Sequence, residues 1–183
     1  MRLPALLAAV ALFSAAPALA TLKTGDTAPD FTTRGAVAGK VISVHLADQL
    51  KKGPVVLYFF PAAFTSGCNA EAHAFADEID AFKKAGATVI GMSADTVPTL
   101  AKFSTQECAG KFPVASADPK VIAAYDVDRG QLVSIHGSPM RQITTRTSYV
   151  IAPDGKIVYV HSDPSPADHI TGTLSAVQQL ARK

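Results

Sequence analysis

The sequence predicts an α/β domain, a central mixed β-sheet flanked by helices on both faces. Three observations lead there. PVVLYFF (residues 54–60) and ATVIGMSA (87–94) are apolar runs without alternation, as in strands buried on both sides. Between and after them, apolar residues recur at three- and four-residue steps, the period of amphipathic helices. Finally, SYVIAP and KIVYVHS are joined through Asp154–Gly155, a hairpin signal, and a last helical stripe follows.

In chain order, MRLPALLAAVALFSAAPALA has a basic Arg2, an apolar core too short for a comfortable membrane span, and a small-x-small ending at Ala18–Leu19–Ala20. It reads as a signal peptide over residues 1–20, cleaved before Thr21, which predicts a periplasmic or secreted protein without stable membrane association. Residues 21–183 carry no repeat, low-complexity tract or charge block and read as one domain. Thr21–Gly39 looks like an irregular approach anchored by Phe31, and VISVHL (41–46) suits a short strand.

After PVVLYFF, residues 66–85 form a helical pattern with Cys68, Ala72, Phe75, Ile79 and Phe82 on one face. Thr65 or Ser66 is placed to cap its start, and Lys83 and Lys84 favour its end. A second helix runs from about Thr96 to Cys108, with Pro98 in its first turn. KFPVASADP (111–119) gives a strand and turn, and VIAAYDV a short helix. The closing helix over 165–183 has Ile170, Leu174, Val177 and Leu180 as its stripe. This order fits a thioredoxin-like fold.

The net charge of +2 and the absence of any basic block exclude nucleic acid as an expected partner. Two cysteines are too few for a disulfide framework, so each is read for its chemistry. Cys68 falls in the first turn of a helix after a buried strand, where free N–H groups and the helix dipole favour a thiolate. On its own, Cys68 is equally an inert buried thiol. Glu71 and Arg146, each alone, read as ordinary charges, and Thr65 as a helix cap.

Together the neighbours say more. FFPAAFTSGC places Pro61, Thr65 and Cys68 in the spacing P-x-x-x-T-x-x-C, with Glu71 three residues on. Arg146 precedes a Thr–Ser–Tyr–Val–Ile run. The pattern resembles the active-site signature of AhpC/TSA-type peroxiredoxins, and looks most like peroxiredoxin Q, also called bacterioferritin-comigratory protein, over essentially all of residues 21–183. Ser66 and Asn69 stand where many relatives of that kind have Pro and Thr.

The resemblance implies a thiol-dependent peroxidase acting on hydrogen peroxide and organic hydroperoxides without cofactor or metal. Cys68 would be the peroxidatic thiolate, oxidised to a sulfenic acid. Thr65 would orient the peroxide, Pro61 would shield the sulfur, and the amides of Gly67 and Cys68 would stabilise developing charge. Arg146 would supply a permanent cation, held by Glu71.

The commonest peroxiredoxin Q arrangement puts a resolving Cys where this chain has His73. Cys108, forty residues beyond Cys68, resembles the variant that forms an intramolecular disulfide recycled by a thioredoxin-like donor. A free Cys108 with an external resolving thiol, and a permanent structural disulfide, are the other readings. A reduced form with the two sulfurs apart, closing by local unfolding, is expected. His73 reads as a satisfied or exposed helical His, and no zinc site is expected from Cys68, His73 and Cys108. His45, His136, His161 and His169 show no pairing, and Arg34, Arg129 and Arg141 read as surface charges. The expected state is a monomer, with a homodimer as the alternative. Competing functions are thiol–disulfide exchange, which Thr65 in place of a second Cys disfavours, and a redox sensor without turnover.

Overall fold

A computed structural model of the chain describes residues 22–135 and 137–182. The predicted signal segment and His136 lie outside the described residues. Nine strands and five helices are present among them: β1 (Thr32–Val37), β2 (Lys40–His45), α1 (Leu46–Leu50), β3 (Val55–Phe59), α2 (Ser66–Lys84), β4 (Thr88–Ser93), α3 (Val97–Gln106), β5 (Val114–Ser116), α4 (Pro119–Ala124), β6 (Asp128–Val133), β7 (Arg141–Thr144), β8 (Thr147–Ile151), β9 (Ile157–Ser162) and α5 (Ala167–Leu180). No helix among the described residues is long and apolar enough to cross a membrane.

Seven strands form one sheet in the order β2-β1-β5-β4-β3-β8-β9, and β6 and β7 pair separately. The β3–β4 and β4–β5 pairs are parallel and the remaining pairs antiparallel, so the sheet is mixed. The period-two geometry of a strand explains why PVVLYFF is apolar throughout. Val56, Tyr58 and Phe60 enter a core with Phe75, Ile79 and Phe82 of α2, Phe103 of α3 and Val177 of α5. Val55, Leu57 and Phe59 enter the opposite core with Leu46 and Leu50 of α1 and Ile122 of α4. Helices therefore cover both faces, as the sequence predicts.

The irregular approach predicted for Thr21–Gly39 is corrected by β1, a six-residue strand between β2 and β5. Its Thr–Thr–Arg–Gly start carries turn-like residues, but the backbone is paired on both sides. Gly35 permits this, because a Cβ there would run into the Val114 carbonyl. Leu46, assigned to a strand by sequence, instead opens α1, whose Ala47 amide is held by Asp30. Phe31 is the predicted anchor, buried edge-on against Tyr125.

Gly91, in the middle of β4, makes room for the Tyr58 ring, which stacks on Phe75 with centroids 4.3 Å apart. A Cβ at Gly91 would sit 2.8 Å from both Cζ and the hydroxyl of Tyr58. Gly91→Ala is expected to destabilise the fold by about 1–3 kcal/mol through overpacking. A lower urea midpoint with an unchanged slope would show it, and an unchanged midpoint would contradict it.

Candidate active site

Strand register assembles the site. Phe59 at the end of β3 is opposite Thr147 of β8 and Met92 of β4, and Thr147 is opposite Ser162 of β9. The segments after β3, before β8 and after β9 thus meet at one edge of the sheet, the carboxyl end of its parallel strands, where α/β folds gather their chemistry. Residues 61–68 come together with Arg146 and the 163–166 loop, which lie some eighty to a hundred residues further along the sequence.

The 60–65 loop is fixed at several points. The Phe60 amide donates to the Met92 carbonyl at 2.9 Å, and the Thr144 hydroxyl donates to the Phe60 carbonyl at 2.7 Å. The Ala63 amide donates to Asp95 at 2.7 Å, and Phe64 has φ of +65°, a sparsely populated conformation for a residue with a side chain. Asp95 is almost fully buried, accepts from the Ser93 hydroxyl, and receives Arg141 Nη2 at 2.6 Å. Arg141, expected as a surface charge, is instead paired through its position at the start of β7. Arg34 and Arg129 are exposed as expected.

Helix α2 begins at Ser66, with Thr65 at the N-cap position and no side-chain cap. The expected cap is replaced by a hydrogen bond from the Thr65 hydroxyl to the Ala62 carbonyl at 2.9 Å, which tightens the turn before the helix. Pro61 stands half-buried at the start of that turn. The amides of Gly67 and Cys68 belong to the first helical turn and have no partner within the helix. Any side chain at position 67 would meet the Arg146 guanidinium at 3.2 Å.

Cys68 is 2% exposed, with Arg146 Nη2 3.6 Å from its Sγ. Arg146 Nη1 is ion-paired with Glu71 Oε2, and both side chains are buried. Burial raises the Glu71 carboxyl above its ordinary range, and the charge and hydrogen bond of Arg146 oppose that rise only in part. The geometry thus offers a thiol in the first turn of a helix with a fixed cation beside its sulfur. Such a setting stabilises negative charge on sulfur and on an oxygen leaving it.

Cys108 lies just beyond α3 and is fully buried. Both thiols are free, and both belong to the core on the α2–α3–α5 side of the sheet. Burial first, and then the charge of Glu107, raise the Cys108 thiol well above its ordinary range, so it is held protonated. The chain around it is closed by hydrogen bonds from the Cys108 amide to the Phe103 carbonyl and from the Gly110 amide to the Ser104 carbonyl. His73 is half in solvent and pairs with Glu107 at 2.9 Å, linking α2 to this segment.

Two other histidines, His45 and His169, depart from the unpaired reading, while His161 makes only ring contacts and leaves its Nε2 without a partner. His45 bridges Asp30 and Asp48, whose hydrogen bonds raise its pKa. His169 bonds Ser148 and the Asp163 carbonyl, and His161 packs against its ring with centroids 4.5 Å apart. Asp95 could have been found in sequence as a lone carboxylate just past a buried parallel strand. His169 and Thr173 stand four residues apart and lead to Val177 of the apolar stripe, so the buried face of α5 is wider than that stripe.

A thioredoxin-like sheet carrying a buried cysteine at a helix start beneath an arginine defines a thiol-based oxidoreductase. The AhpC/TSA family profile matches residues 24–160. The chain belongs to this family, and it is a peroxiredoxin, an enzyme with thiol-dependent peroxidase activity. It is 32% identical to peroxiredoxin Bcp of Escherichia coli over 160 residues, spanning 87% of this chain and 98% of that one. The solved structure of peroxidoxin BcpB from Mycobacterium tuberculosis superposes with a TM-score of 0.75 at 34% identity, covering 87% of this chain and 98% of that one. Bacterioferritin comigratory protein of Xanthomonas campestris, whose structures were described for alkyl peroxide reduction, gives 0.67 at 26% identity, covering 81% and 91%.

Proposed function

We propose that the Cys68 thiolate attacks the terminal oxygen of a hydroperoxide, forming an S–O bond as the O–O bond breaks. The alkoxide or hydroxide leaves with the electron pair and takes up a proton, and Cys68 is left as a sulfenic acid. The observation that carries this reading is the 3.6 Å approach of Arg146 Nη2 to Cys68 Sγ, where a cation can serve both the thiolate and the departing oxygen. Glu71 orients that cation. The Thr65 hydroxyl, now bonded to Ala62, needs only to rotate to meet a peroxide, and Pro61 covers the approach to the sulfur.

In the second step Cys108 attacks the sulfenic sulfur, water leaves, and a Cys68–Cys108 disulfide forms. A dithiol donor of the thioredoxin class then returns both sulfurs to thiols by exchange. The shared core of the two cysteines supports this pairing, and the protonated, fully buried Cys108 supports a local opening as its trigger. Hydrogen peroxide and organic hydroperoxides are the proposed substrates, and the likeness to the Xanthomonas protein favours including the alkyl class. We further propose that the protein is exported, cleaved before Thr21, and acts as a monomer.

The test is mass spectrometry of residues 21–183 after one equivalent of hydroperoxide. Wild type is expected to lose two hydrogens as a Cys68–Cys108 bridge, and Cys108→Ser to gain one oxygen on Cys68. Cys108→Ser should keep its first oxidation within about threefold of wild type and lose dithiol-driven turnover. Full turnover by Cys108→Ser would remove Cys108 from the cycle, and oxygen arriving first on Cys108 would overturn the assignment of Cys68.

A further inference from the structure

Glu71 is not the only group holding Arg146. The guanidinium Nε–H also donates to the Pro164 carbonyl at 2.9 Å, in the loop between β9 and α5. The neighbouring carbonyl, Asp163, lies 3.0 Å from Nε2 of His169, which has no exposed surface. Nδ1 of the same ring is 2.8 Å from the hydroxyl of Ser148, two residues after Arg146. A carbonyl can only accept, so Nε2 carries a proton; in the neutral ring Nδ1 then accepts and Ser148 donates.

This tautomer also accounts for an orphan. Glu71 Oε1 is buried without a hydrogen-bond partner and lies 4.0 Å from Nδ1. It faces a ring nitrogen that has no proton to give. The groups around the ring are Glu71 of α2, Arg146 and Ser148 before and on β8, His161 of β9, and the Asp163 loop. Burial holds the His169 pKa down to about 4, opposed by the Asp163 carbonyl and helped by His161 and Arg146. The ring is therefore neutral at neutral pH, which makes Nδ1 the acceptor of the Ser148 hydroxyl.

The connections close a circuit, from Arg146 through its own strand to Ser148, across to His169, out to Asp163, and back through Pro164 to the guanidinium. We propose that His169 is a positioning residue for peroxide reduction: by pinning the Asp163–Pro164 carbonyls to β8, it fixes where the Arg146 guanidinium stands over Cys68. The inference rests on the proposed roles of Cys68 and Arg146.

Two conservative variants separate positioning from packing. His169→Gln places an amide donor near the Nε2 position and keeps the bond to Asp163. His169→Asn reaches only as far as Nδ1 and loses that bond. In single-turnover oxidation of Cys68 by hydrogen peroxide, His169→Asn is expected to be slower by about 10–100-fold, the scale of a misplacement near 1 Å. Its Cys68 alkylation-versus-pH curve is expected to move to higher pH, with His169→Gln restoring both readouts. Ser148→Ala, which frees the other side of the ring, carries the same expectation if His169→Asn does not fold.

Folded Asn and Gln variants with equal, near-wild-type oxidation rates would overturn the inference, as would a loss of stability with both readouts unmoved. Arg146→Met is run alongside. If it leaves Cys68 oxidation unchanged, the proposed role of Arg146 fails, and the role of His169 with it. If it slows oxidation while His169→Asn does not, only the role of His169 falls.

Discussion

Cys68→Ser is expected to reduce peroxide consumption to the uncatalysed rate while leaving the fold in place. The reaction requires a thiolate, and a serine hydroxyl is not ionised at any relevant pH and cannot be oxidised to a sulfenic acid. The replacement is close in size and sits where Arg146 Nη2 can donate to the hydroxyl oxygen instead of to sulfur. The new buried hydroxyl therefore keeps a partner, and the stability change should stay within about 1–2 kcal/mol. Circular dichroism and a thermal melt check the fold, and coupled peroxide consumption with a dithiol donor checks the activity. Donor-dependent turnover above the protein-free blank would show that Cys108, or no cysteine of this chain, does the chemistry.

The second large effect is an asymmetry between the two halves of the buried ion pair. Removing one partner of such a pair typically costs about 3–5 kcal/mol, because a charge remains buried without compensation. Glu71→Ala should lose that much, since the remaining guanidinium cannot shed its proton inside the protein. Arg146→Ala should lose less at neutral pH. Burial already raises the Glu71 carboxyl, and without the opposing arginine it rises further and takes a proton. The sign follows from that shift. A carboxyl whose folded pKa lies above its unfolded one adds stability below the unfolded value and loses it as pH climbs through the folded value. The stability of Arg146→Ala should therefore fall from pH 6 to pH 9 further than that of wild type, whose Glu71 is raised less, whereas Glu71→Ala lacks this carboxyl and should fall least. On activity, Arg146→Ala should slow Cys68 oxidation by about 10²–10³-fold, the scale of removing one preorganised donor. Urea titrations at the two pH values decide the point, and equal losses for the two variants would refute it.

Much of this site is legible in the sequence because its chemistry is concentrated in short segments. FFPAAFTSGC contains a strand end, a turn and a helix start, and each leaves a local mark. Arg146 is marked by the apolar strand that follows it. The supports are less visible because they depend on register. Nothing local to Arg141 says that it meets a carboxylate forty-six residues away, and Asp95 acquires that partner only when β7 folds beside the 60–65 loop. His169 is hidden in the same way, as its partners come from β8 and from the loop after β9. Strand β1 escaped notice because its Thr and Gly residues suit turns, and its pairing with β2 and β5 overrides that preference. Strand β6 is almost wholly exposed and β7 has only four residues, so the pair left no hydrophobic period to read.

The burial of Cys108 has a consequence for timing. With Cys108 as the resolving thiol, the sulfenic acid on Cys68 waits until the segment after α3 lets go. That segment is secured by the Phe103 and Ser104 carbonyls, and the Ser104 hydroxyl reaches across to the Gly39 amide. The waiting time is then an unfolding rate, and it shortens steeply on warming, as unfolding rates do. In the cold, or at high oxidant, a second peroxide would reach the sulfur first and drive it to the irreversible sulfinic acid. With that role for Cys108, the durability of the enzyme under stress would be set by the strength of one helix end.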